Sequence, residues 1–114
     1  MIEMIYKILT PEQWVEFAQK GHFAGSEHDK RDGFIHMCSG AQLAGTLAKH
    51  YVNVAEIVLV GFSAEGFSHD LKWEVSRGGE KFPHLYADLP FYALVNAHKL
   101  AQTPGKGFVL PSEF

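Results

Sequence analysis

The chain has a single cysteine, few basic residues and no long apolar run, and each shortage excludes something. A lone cysteine, Cys38, cannot close an internal disulfide, so the fold needs no oxidising compartment and a cytoplasmic location is expected. Ten Lys and Arg against thirteen Asp and Glu give a net charge of -3 with no basic stretch. Stable binding to nucleic acid is therefore not expected. No apolar run approaches the ~18 residues that mark a spanning helix, so no membrane association is expected either. The opening MIEMIYKIL carries Glu3 in place of a basic cluster and reads as a first strand, not a signal peptide. What is present is ordinary for a globular domain: 46% apolar and 20% charged residues over 114 positions, with a mean hydropathy of -0.07. That length supports one cored domain over residues 1–114, taken as a monomer or weak homodimer.

Local signals place the elements. Met4 to Leu9 has strand composition. Thr10-Pro11-Glu12-Gln13 announces a helix from Pro11 to Lys20, with a Thr10/Gln13 capping box, proline at the first helical position and a Leu9/Trp14 hydrophobic staple. Trp14, Phe17 and Ala18 form its expected buried stripe, and Gly21 closes it. Gly25 to Gly33, GSEHDKRDG, reads as an exposed loop. Phe34 to Cys38 follows as a short strand, with Phe34, His36 and Cys38 on one face. Ser39 and Gln42 repeat the capping pattern and open a second helix from Gly40 to Tyr51, its apolar face made by Leu43, Ala44, Leu47, Ala48 and Tyr51. Ala55 to Phe62 suits a central strand covered on both faces. Asp70 to Ser76 alternates, Gly78-Gly79 is a turn, Phe82 to Ala87 is extended, and Tyr92 to Leu100 alternates again. Phe108 to Leu110 is a short final strand in a turn-rich tail over 101–114. Two early helices followed by strands give an α+β fold with a mixed sheet.

Seven histidines, at 22, 28, 36, 50, 69, 84 and 98, invite a metal reading. Their spacing contains no short zinc signature and only one cysteine accompanies them, so no metal site is expected. Cys38 directly precedes a helix start, where a thiolate gains stability, but a lone cysteine among apolar neighbours is more simply a core residue. Three segments carry more chemistry. Ser26-x-x-Asp29-x-x-Asp32 leads into the strand of His36, Trp73-Glu74 sets an aromatic beside a carboxylate, and Pro83 stiffens a segment in which His84 and Tyr86 point to one side. Each has a plain alternative: a satisfied core histidine at 36, a solvated Glu74 beside Lys72, and a sheet edge closed by His84 and Tyr86. Together they are the parts of a polar cleft.

The order of Ile5-Tyr6-Lys7-Ile8-Leu9, the Trp14 helix, Asp32-Gly33-Phe34-Ile35-His36, Gln42, Lys72-Trp73-Glu74 and Phe82-Pro83-His84-Leu85-Tyr86 resembles the bacterial domain of unknown function 952 family over residues 4–100. Through it the chain is similar to the ADP-ribosyltransferase-like fold, nearest to the RNA 2′-phosphotransferases. Their Tyr-His-Gly-Thr strand corresponds to the first strand here, with Tyr6, and their Val-His-Leu-Ser strand to Ile35-His36-Met37-Cys38. The resemblance implies a split β-sheet and a cleft for a nucleotide or NAD-like ligand. Lys7-Ile8-Leu9 stands where His-Gly-Thr would grip the dinucleotide, and Arg31 and Arg77 are the only arginines. Both are departures from the enzymes.

Three functions are expected on these grounds. The first is a small transferase or hydrolase in which His36, Glu74 and His84 are catalytic. His36 would orient the ligand or act as acid or base, helped by an imidazole pKa of ~6.5, while Glu74 would stabilise positive charge at a ribose-like carbon. Tyr6, Trp73 and Tyr86 would stack on a base, and Lys7, Ser26, Asp29 and Asp32 would hold the rest of the ligand. The second is a nucleotide-binding module without turnover. The third is a structural or partner-binding domain with no small-molecule site.

Overall fold

Thr10 turns the chain from its first strand, β1 (Met4–Leu9), into its first helix, α1 (Pro11–Lys20), with the geometry its sequence announces. The Thr10 hydroxyl accepts from the Gln13 amide at 3.0 Å, Gln13 Oε1 accepts from the Thr10 amide at 2.9 Å, and Gly21 ends the helix with φ 82°. The computed structural model describes residues 3–102 and 105–111, apart from the side chain of Arg77. The remaining elements are β2 (His22–Phe23), α2 (Glu27–Asp32), β3 (Ile35–His36), β4 (Cys38–Ser39), α3 (Leu43–His50), β5 (Glu56–Ser63), β6 (Leu71–Val75), β7 (Lys81–Leu85), β8 (Leu89–Pro90) and β9 (Leu94–Ala101).

The strands divide into a four-stranded sheet in the order β4-β1-β5-β9, a three-stranded sheet β3-β7-β6 and a small β2-β8 pair. The fold is α+β and the sheet is split. Every pairing among the described residues is antiparallel, which replaces the mixed sheet expected from the sequence. The central strand β5 is buried on both faces from Ile57 to Phe62, as its unbroken apolar run requires. One face of its sheet packs Ile5, Leu9, Val58, Val60 and Phe62 against Phe17 of α1 and against Ile35, Met37 and Leu85. The other packs Tyr6, Ile8, Ile57 and Leu59 against Leu43 and Leu47 of α3, with Cys38 and Phe82. Cys38 is thus a buried thiol in that second core.

Several local expectations are corrected. The segment 25–33 is not a loop throughout, because Ser26 and Asp29 form a reciprocal capping box and Gly33, at φ 87°, closes the short helix α2. The strand expected over 34–38 breaks at Met37, whose amide reaches the Pro83 carbonyl at 3.0 Å as the chain passes from the three-stranded to the four-stranded sheet. The second helix opens as a 3-10 turn over Gly40–Gln42 before α3 proper. Ala18, Ala44 and Ala48 are exposed, since these short helices bury one narrow stripe. Trp14 is half-buried at the core edge against Phe17 and Phe91, at centroid distances of 6.2 and 5.9 Å. Phe91–Ala93 is a 3-10 turn, so the last long strand begins at Leu94 and not at Tyr92. Phe108 to Leu110 forms no strand, although Phe108 and Leu110 pack on the second core. Gln102 fastens the end of β9, donating its side-chain amide to the carbonyls of Tyr51, Val52 and Val54. No helix among the described residues is long and apolar enough to cross a membrane.

Candidate functional site

Alternation in the three-stranded sheet decides which side chains meet. Its register pairs His36 with His84, His84 with Lys72, and Phe82 with Glu74. These residues share a face because directly opposed positions in an antiparallel pair point the same way. Leu71, Trp73 and Leu85 point to the other face and into the first core. Trp73 therefore packs with the core and does not line the cleft, which corrects its expected stacking role.

Asp29 anchors one wall. It is 2% exposed, and its carboxylate accepts from Lys7 Nζ at 2.8 Å, His36 Nδ1 at 2.6 Å, the His36 amide at 3.1 Å and the Ser26 amide at 2.9 Å. Burial pushes this carboxyl up, but the bond from His36 and the adjacent Lys7 ammonium outweigh it and hold the group well below the usual carboxylate range. Burial pushes the Lys7 ammonium down, and Asp29 offsets part of that. Lys7 also donates to the His36 carbonyl at 2.8 Å, so one lysine ties β1, α2 and β3 together. His36 Nε2 lies 3.0 Å from Asp32 Oδ2, and His28 stacks on the His36 ring at 4.5 Å.

His84 builds the opposite wall. Its Nδ1 lies 2.9 Å from Glu74 Oε1, the oxygen that also accepts from the Tyr86 hydroxyl at 2.7 Å. These two hydrogen bonds, Tyr86 first and His84 second, draw the Glu74 carboxyl below its ordinary value, and the same contact raises the Tyr86 phenol. Phe34 stacks on His84 at 4.0 Å and flanks the two histidine rings, which meet edge to face with centroids 5.7 Å apart. Lys72 Nζ sits 5.0 Å over the Tyr86 ring.

Between these walls and α3 runs a cleft of about 670 Å³. Tyr6, Lys7, Ser26, Asp29, Asp32, His36 and His84 all line it, whereas Glu74 and Tyr86, both expected at the site, do not; Glu74 reaches the cleft through His84, and Tyr86 only through Glu74. That volume falls within the range of small-molecule sites, ~300–1,000 Å³. Tyr51, on the α3 side, has its phenol pushed up to about 12 by burial.

The model of the proteins of unknown function termed DUF952 matches residues 8–97. The chain belongs to that family. Protein CC0527 from Caulobacter crescentus, 41% identical in its crystal structure, superposes with a TM-score of 0.85 over 91% of this chain and 92% of that one. Its solution NMR structure, 40% identical, gives 0.82 over 91% and 90%. No curated protein matches the chain.

The cleft of this DUF952 protein also contains residues that the sequence pattern does not single out. His28 joins it because residues 27–32 are helical, which places His28 and Asp32 one turn apart. Phe34 is visible in the strand alternation, but its packing against two histidines depends on the sheet pairing. Thr46, Lys49 and His50 of α3 and Ser76 complete the cleft, and no local pattern marks them.

Proposed function

We propose that the cleft binds a nucleotide or NAD-like small molecule and acts on it as a transferase or hydrolase. His84 is the residue that exchanges a proton with the ligand. The supporting observation is the Glu74-bound imidazole of His84 at a cleft that Ser26, Asp32 and His36 line beside the apolar Ile8, Met37 and Phe82. Glu74 engages Nδ1 at 2.9 Å, which selects the tautomer with its lone pair on Nε2, the form a general base requires. Ser26 orients a ribose-like hydroxyl, and Tyr6 offers a flat apolar wall. Lys7 is turned inward to Asp29 and builds the floor, so it does not replace the His-Gly-Thr grip of the dinucleotide enzymes. Negative charge on a ligand is met from the α3 side by Lys49 and His50.

Thermal unfolding with a panel of mononucleotides, ADP-ribose and NAD tests this reading. A ligand present at ~100 times its dissociation constant adds about 2.7 kcal/mol of stability. The expected result is a shift with at least one member, followed by turnover that is lost in His84→Gln. A shift without turnover would make the protein a binding module, and no shift with any member at millimolar concentration would overturn the proposal.

A further inference from the structure

Three metal-competent side chains meet at the mouth of the cleft, outside the acid–base group of His84. His28 and Asp32 lie one turn apart on the exposed face of α2, and His36 reaches them from β3. His36 Nε2 is 3.0 Å and His28 Nε2 3.6 Å from the same oxygen, Asp32 Oδ2, and the three ligand atoms all lie within 4.8 Å of one another. Tetrahedral coordination with bonds of about 2.0–2.1 Å separates its ligand atoms by roughly 3.3 Å. The two measured separations bracket that value.

We propose that His28, Asp32 and His36 bind a divalent transition-metal ion of the zinc type, with its remaining coordination position open to the cleft. Two imidazoles and one carboxylate form a borderline N/O ligand set, and three protein ligands with an open position are the pattern of reactive rather than structural zinc. The residue behind His36 separates this cluster from an ordinary surface ion pair. Asp29, 2% exposed, accepts the His36 Nδ1 hydrogen bond at 2.6 Å and is itself fixed by Lys7 and the Ser26 amide. A buried carboxylate on the far nitrogen fixes the ring plane and leaves Nε2, which faces Asp32 Oδ2 at 3.0 Å, as the nitrogen that a metal would take in exchange for that contact, the outer support that metal-binding histidines generally have. The larger adjustment falls on His28, which must leave its stack on His36 and its contact with Arg31, while Asp32 Oδ2 must also draw back from His36 Nε2 to admit the ion. The His28 side chain is 61% exposed, so it turns at little cost. The three ligands line the cleft, so a bound ion would present a Lewis acid to an anionic ligand there.

Metal alone tests the site, without any nucleotide. Metal-stripped full-length protein is titrated with Co²⁺, read by its visible d–d absorption, and with Zn²⁺ by calorimetry. One equivalent should bind with micromolar or tighter affinity. His28→Gln, Asp32→Asn and His36→Gln should each weaken binding at least tenfold, whereas Arg31→Ala, His22→Gln and His69→Gln should not. His28, Asp32 and Arg31 are exposed, so their variants report on binding without loss of the fold. Absence of saturable binding, or binding unchanged in both His28→Gln and Asp32→Asn, would overturn the proposal. Because this titration contains no nucleotide and the nucleotide panel needs no metal, either proposal can fail alone.

Discussion

Replacing Asp29 by asparagine keeps the shape of the side chain and removes its charge, and the consequences can be worked through atom by atom. The carboxylate accepts four bonds, from Lys7 Nζ, His36 Nδ1 and the amides of His36 and Ser26. An amide oxygen can serve some of these donors, but the new NH₂ group must then point at another donor. Lys7 loses its counter-ion while only 8% exposed and keeps the His36 carbonyl at 2.8 Å. Breaking a buried ion pair on one side costs about 3–5 kcal/mol. For a domain of this size each kcal/mol moves Tm by roughly 4 °C, so the midpoint should fall by about 12–20 °C. Adding Lys7→Met should recover part of the loss, because no uncompensated charge then remains in the core.

The same carboxylate makes a pH prediction with a definite sign. Its folded-state pKa is depressed, so the native state holds fewer protons than the unfolded chain in the acid range. Its contribution to stability is therefore complete above the unfolded carboxylate value of ~3.9 and is lost as pH falls below it toward the folded value. Urea unfolding of the parent protein should show a stability loss beginning near pH 4, and Asp29→Asn should flatten that slope. A loss under ~1 kcal/mol in Asp29→Asn at pH 7, with an unchanged acid slope, would refute the reasoning.

Gly61→Ala should destabilise by about 1–3 kcal/mol in urea, the range for overpacking, because a β-carbon there meets Asn96 Oδ1 at 2.5 Å and Tyr6 Cε1 at 2.8 Å. A change below ~0.5 kcal/mol would mean that Tyr6 is not held across the strand. Trp14→Ala should cost about 2 kcal/mol, less than the ~3–5 of a fully buried aromatic, since one side of the ring is open; a loss above ~4 would place the ring deeper. Tyr86→Phe should let the Glu74 carboxyl rise toward its ordinary value, because the phenol is the first cause of its depression. An unaltered Glu74 titration by NMR would remove Tyr86 from the site.

Much of the scaffold could be read residue by residue from the sequence. Thr10, Pro11 and Gln13 act locally, within one helical turn, and their pattern survives without tertiary context. Ile57 to Val60 demanded burial on both faces and received it. The candidate site was readable as a set of residues, since Tyr6, Lys7, Ser26, Asp29, Asp32, His36 and His84 do converge on one cleft. Their partners were not. Trp73 and Glu74 are neighbours in sequence, but opposite faces of β6 send one to the core and the other to His84. The acidic composition of 25–33 suggested a solvated loop, whereas the Ser26/Asp29 box folds it into a turn and a half of helix. That local error hid both the His28/Asp32 pair and the burial of Asp29, a charge that composition alone would place in water.

The two histidines of the cleft are paired residues in one sheet register, yet their carboxylates suit them to different work. His36 is held by Asp29, a carboxylate shut away from solvent with three further donors, and its other nitrogen already faces Asp32. A ring so held keeps its position, and Nε2 takes another partner only by giving up Asp32. His84 is held by Glu74, which is 40% exposed and shares one oxygen with the Tyr86 phenol. That oxygen divides itself between two hydrogen bonds, and the rest of the exposed carboxylate is open to water. Phe34 packs against both rings, stacked on His84 and tilted against His36. In the proposed function His36 is the fixed anchor and His84 the proton carrier, and their ring centroids lie 5.7 Å apart.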